Sequence, residues 1–177
     1  MIFIGFGFLM VFLKTHSYSS VTFNLFIAAW SIQLIPLLLW FWHGVFESFK
    51  KYEMDLTTIV FGDFGAAAVL ISFGAVLGKV NQFQLVFMAI FELFFYTLNE
   101  HIAIQEIRVT DIGGSMIIHL FGAIFGIGVS LMYRPKSHSN HPLCGSNYYS
   151  NLFAMIGTLF LWMYWPSFNA ILASPSG

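Results

Sequence analysis

The chain has 177 residues, 58% of them hydrophobic and only 8% charged, with a mean hydropathy of +0.80. Soluble chains carry about 25% charged residues, so this composition excludes a water-soluble globular fold and identifies an integral membrane protein. A net charge of −1 argues against a nucleic-acid partner, which would want a basic patch. The single cysteine, Cys144, excludes an internal disulfide and a cysteine-ligated metal cluster.

A spanning helix needs about 20 apolar residues, and six apolar runs follow one another along the chain. The first, 1–13, "MIFIGFGFLMVFL", lacks the charged n-region and small-residue cleavage site of a signal peptide. It reads as a transmembrane segment entered part-way, and the chain as a fragment. The second, 23–42, contains Pro36, which a membrane helix tolerates when neighbours satisfy the freed backbone. The third is 59–77, the fourth 83–98, the fifth 112–132 and the sixth 152–171. The expected fold is an all-α polytopic helical bundle of about six spans.

Alternate connections place Lys14, Lys79, Arg134 and Lys136 on one side with no acid among them. The other side has Lys50, Lys51 and Arg108 together with Glu47, Glu53, Asp55, Glu100, Glu106 and Asp111. The positive-inside rule favours the first side as cytoplasmic by one residue. The acidic face concentrates cations, or is simply solvated. The segment 133–149, "YRPKSHSNHPLCGSNYY", reads as a solvated connection. His138 and His141 within it have no further ligands nearby and do not make a metal site. No N-x-[ST] sequon occurs, so glycosylation of this segment is not expected.

Ionisable groups inside spans default to function. His119 stands eight residues after Asp111, roughly 12 Å along a continuous helix. It reads as a pore or relay group, against a structural histidine bonded to a neighbouring helix. Gly122 and Gly126 form a G-x-x-x-G face, as do Gly74 and Gly78, and such faces let backbones approach closely. Glu92, near the middle of the fourth span, must be protonated or partnered, and reads as structural rather than as part of a conduction path. Asp63, near the outer end of the third span, suits a vestibule or stabilises a helix N-terminus. The stretch "LFLWMYWPSFN", 159–169, is an interfacial aromatic belt, or an irregular break lining a cavity.

The segments "HSYSSVTFNLF", "FGAVLGKV", "DIGGSMIIH" and "NLFAMIGTLFLWMYWPSFN" together resemble the Rh (Rhesus) family of the ammonium transporter superfamily. The resemblance covers nearly the whole chain. "LGKVNQFQLV" and "NAILASPSG" look most like its erythroid blood-group branch. It implies an eleven- or twelve-span channel of inverted five-helix repeats, assembled as a homo- or heterotrimer in the plasma membrane. It implies ammonium or ammonia as substrate, no enzyme activity and no cofactor. Residues 1–177 would then be one transmembrane domain: the N-terminal half plus the first span of the second repeat.

Residue by residue, His119 matches the first of two facing pore histidines, and Asp111 the aspartate supporting the pore. Phe64 and Phe168 match the phenylalanine gate, Glu100 an outer-vestibule acid, and Asn169 sits beside the gate. Asp63 lies next to the gate on the same outer side. The second pore histidine belongs to the second repeat, past the last residue here. The alternative is a non-transporting structural subunit of a red-cell Rh complex. Presence of His119, Asp111, Phe64 and Phe168 favours transport.

Overall fold

A computed structural model describes residues 1–13, 17–49, 54–133 and 145–173, and among these the only regular structure is helical. Lys14, Lys50, Lys51, Glu53, Arg134, Lys136, His138, His141, Cys144 and the last four residues lie outside the described residues. Six helices follow in order: α1 Ile2–Leu9, extended by a 3-10 turn Met10–Phe12; α2 Ser17–Phe46; α3 Leu56–Val76; α4 Gln82–His101; α5 Phe121–Met132; α6 Tyr148–Ala170. A π-turn Ile102–Glu106 continues α4, and another, Ser115–Leu120, leads into α5. Each helix falls on an expected apolar run. Four of them, with their π-turns, are long and apolar enough to cross a membrane, and the chain is an all-α, multi-pass membrane protein.

Short polar side chains start three of the helices. Asp55 accepts from Thr58 N at 2.8 Å while Thr58 Oγ1 receives Asp55 N at 3.4 Å. Asn81 with Gln84 and Asn147 with Ser150 repeat the same reciprocal box at 2.8–2.9 Å. Each box satisfies two backbone donors that a helix start leaves orphaned. Its hydrogen bonds hold the exposed Asp55 carboxyl below the usual carboxylate range, the Thr58 backbone N–H first among them.

Helix α3 is the centre of the bundle and packs against α2, α4 and α5. Its run Gly65, Ala66, Ala67, Ala68 is buried because small side chains allow close approach from every direction. Pro36 of α2 cannot donate to the Ile32 carbonyl four residues back. Gly62 of α3 packs against that carbonyl, where a Cβ would stand 3.2 Å away. Gly122 and Gly126 bring α5 onto α3 as expected: a Cβ would lie 2.7 Å from Ala68 O and 2.8 Å from Ser72 Cα, respectively. The Gly74–Gly78 expectation fails. Gly74 has open space before it, and Gly78 has left the helix with φ +76. It terminates α3 in the left-handed conformation that glycine adopts at no steric cost. On α4, Phe83, Phe87, Phe91 and Phe95 recur every fourth residue and are exposed, forming an apolar stripe suited to lipid.

Candidate permeation site

The site gathers at the acidic end of the bundle, built from α3, the segment before α5, and α6. Asp111 precedes the helical turns instead of lying on them. Gly114, at φ +71, closes a turn in which its N–H donates to Asp111 O at 3.2 Å. The reversal folds the Asp111 carboxylate back over the helix start. There it accepts from Ser115 N, Ser115 Oγ and Met116 N at 2.8 Å, and from Ile117 N at 2.9 Å. An anion belongs there, because the first backbone N–H groups are orphaned and the peptide dipoles point positive. Partial burial pushes the Asp111 carboxyl up, but the donors of Ile117, Ser115 and Met116 outweigh it and hold the group below its ordinary range. The continuous-helix spacing of Asp111 and His119 is therefore corrected: a glycine turn intervenes, and it turns a distant charge into a cap.

His119 ends up inside the π-turn, with its N–H bonded to Gly114 O at 3.0 Å. The five-residue closure re-aims the side chain relative to an ordinary α-helix, a device common at functional sites. The ring is half-buried, and its Nε2 is fully buried with no hydrogen-bond partner among the described residues. Two rings from α6 stand over it. Trp165 lies 5.3 Å from His119 between centroids and Phe168 6.2 Å, the two being stacked on each other at 5.2 Å and 14°. Phe168 then meets Phe64 of α3 at 5.0 Å and 52°. Both phenylalanines are buried.

Asp63, Phe64, Tyr164, Ser167 and Phe168 line a cleft of about 290 Å³, to which His119 does not contribute. Asp63 is half-buried there. Asn169 donates to Trp165 O at 2.9 Å and turns its amide oxygen onto Gly113. Helix α6 runs unbroken through Pro166, so "WPSFN" lines the cleft as helix and not as irregular backbone. Trp162 is exposed, as a membrane belt requires, whereas Trp165 turns inward. Sequence reasoning grouped the two tryptophans together. The three-residue offset from Trp165 to Phe168, which puts both on one helix face, was the available signal.

Glu100 is not brought to this group. It is buried on α4 and lines a separate cleft of about 210 Å³ with Leu39, His43, Phe61, His101 and Gln105. Glu92 is buried deeper on α4 and shares a hydrogen bond with Ser72 of α3. Among the described residues no cluster of three or more His, Cys, Asp or Glu side chains is placed to hold a metal ion.

The model of the Ammonium Transporter Family matches residues 1–176. The ammonium transporter Rh type B of Oryzias latipes is 51% identical over 172 residues, which are 96% of this chain and 37% of that protein. The Rh type C transporter of Bos taurus is 48% identical, over 98% of this chain and 38% of its own length. The Rh type A transporter of Mus musculus is 46% identical, over 99% and 40%. The chain thus spans about two-fifths of the length of these relatives. Helices, turn and aromatic stack all lie within the matched segment, and the chain belongs to the ammonium transporter family, as a partial chain of its Rh branch.

Proposed function

We propose that this chain forms one wall of a permeation path for ammonium or ammonia, and that it acts as a channel or transporter and not as an enzyme. The observation that carries the reading is that Phe168 meets both Phe64, with which it lines the Asp63 cleft, and His119, whose buried Nε2 has no partner among the described residues. In the order a permeant would meet them, these are a carboxylate, an aromatic constriction and a hydrogen-bonding group in a dry interior.

Asp63 raises the local cation concentration at the outer end, while Glu100, buried in its own cleft beside His43 and His101, adds to that field only in its ionised form. Past the rings, carrying a full charge is expensive, since desolvating an ion costs several kcal/mol even after relaxation. Ammonium escapes by leaving a proton with water on the outer side of the rings and passing on as ammonia, which potassium and sodium cannot do. His119 then offers the neutral species a hydrogen bond, its ring having one donor and one acceptor nitrogen. Asp111 holds the π-turn that presents His119, and Asn169 ties the gate helix to the neighbouring turn. Residues 1–177 act as a single transmembrane domain, the N-terminal half plus the first span of the second repeat. It works within a homo- or heterotrimer of Rh-family subunits in the plasma membrane.

The assembly of His119, Phe64, Phe168 and Asp111 into one site supports transport over a purely structural role. In proteoliposomes carrying the full-length protein, His119→Ala should abolish the internal pH change driven by an ammonium gradient. Transport at the wild-type rate in that variant removes His119 from the path.

A further inference from the structure

Glu92 sits at the middle of α4, wholly buried, with Leu93 and Ala89 also fully buried on the same helix. Its Oε1 is hydrogen-bonded to Ser72 Oγ of α3. The same Ser72 Oγ donates to the Gly122 carbonyl of α5 at 2.8 Å. A serine hydroxyl carries one proton, and a backbone carbonyl can only accept. Both contacts are hydrogen bonds at once only when that proton goes to Gly122. The contact between Ser72 and Glu92 then needs a proton from the other partner, and only a carboxylic acid supplies it. An ionised carboxylate would set acceptor against acceptor. It would also leave Oε2, which has no partner among the described residues, as a bare buried charge.

We propose that Glu92 is a neutral carboxylic acid that positions the His119-bearing end of α5 by donating to Ser72, which donates in turn to the Gly122 carbonyl. The relay is static: Glu92 Oε1–H to Ser72 Oγ, Ser72 Oγ–H to Gly122 O, with no proton transferred. It joins α4, α3 and α5 at one level. Gly122 follows His119 by three residues and is where α5 presses hardest on α3. The bond therefore fixes the depth and rotation of the turn that aims the histidine. Glu92 is thus a positioning residue, set apart from the cleft lined by Asp63 and Phe168.

The test uses the full-length protein in lipid at neutral pH and compares wild type with Glu92→Gln, Glu92→Leu and Ser72→Ala. Glutamine keeps a donor where the acid has one. Uptake by Glu92→Gln should stay within about twofold of wild type, whereas Glu92→Leu and Ser72→Ala should fall roughly five- to tenfold, the worth of one net hydrogen bond. The infrared difference spectrum of wild type minus Glu92→Gln should contain a protonated-acid carbonyl band that shifts in D₂O. A carboxylate pair in its place overturns the proposal, as does a Glu92→Gln variant that misfolds or loses uptake. The uptake arm rests on the role given to His119, but the spectrum does not. An acid band in protein whose His119→Ala variant still transports would leave Glu92 neutral and refute only the pore reading.

Discussion

The amide oxygen of Asn169 on α6 rests against Gly113 in the turn before α5, so closely that a Cβ on Gly113 would strike it. The same amide donates to Trp165 O at 2.9 Å, so it cannot swing away without losing that bond. Gly113→Ala should therefore destabilise the protein by about 1 kcal/mol, the net value of one hydrogen bond. In an Asn169→Ala background the same substitution should have almost no effect, since the obstacle is gone. Thermal unfolding of the four proteins in detergent reads the coupling. Simple additivity would mean that the two segments do not constrain each other.

Asp111 makes a pH prediction. Its folded carboxyl lies below the ordinary range, so its stabilisation is fully present above the unfolded value of about 3.9 and is lost as pH falls through the folded value. Asp111→Asn should cost about 1 kcal/mol at neutral pH, as loss of a capping group does. The difference from wild type should shrink on acidification below about pH 4. Paired unfolding curves at neutral and acid pH measure it, and a gap that widens in acid would contradict the cap.

In the proposed path Phe64 and Phe168 meet ring to ring, so shortening either should widen it. Phe64→Ala should raise methylammonium uptake relative to ammonium by about tenfold, equivalent to 1.4 kcal/mol of barrier. Radiolabelled methylammonium uptake in competition with ammonium provides the ratio. An unchanged ratio would locate the constriction elsewhere.

Two glycines separate packing from composition. Gly126→Ala should cost about 1–3 kcal/mol, because its methyl would meet α3 backbone that cannot yield. Gly74→Ala meets nothing and should stabilise its helix by up to about 1 kcal/mol through propensity alone. Detergent-resistance melting curves should move in opposite directions for the two variants.

All six helices were legible in the sequence as apolar runs, four of them long and apolar enough to cross a membrane. The capping boxes at Asp55, Asn81 and Asn147 were legible in principle from their spacing alone. The turn at Gly114 was not. Hydropathy carries no sign of a positive φ, and "DIGGSMIIH" is apolar enough to continue a helix on paper. Gly78 was misjudged for the same reason, since a glycine that ends a helix and one that packs it read alike. Glu100 lines a different cleft from Asp63 because the two sit on different helices, α4 and α3, and hydropathy does not say which helices share a cleft. The Phe64–Phe168 contact joins residues over a hundred positions apart; only tertiary packing brings them together.

Helices α1 and α6 touch backbone to backbone: a Cβ on Gly157 would lie 2.7 Å from Gly5 O, and one on Gly5 2.9 Å from Leu161 Cγ. Phe168 thus rides on a helix welded to its neighbour, while Phe64 rides on α3, itself pinned by α5 at Gly122 and Gly126. Neither backbone has room to swing. In the proposed path the constriction would then open by rotation of the rings themselves, and because both rings are buried that rotation is slower than the picosecond-to-nanosecond flips of exposed side chains. Conduction through such an aperture would be limited by how often two rings part, and cooling should slow it as it slows a rotor.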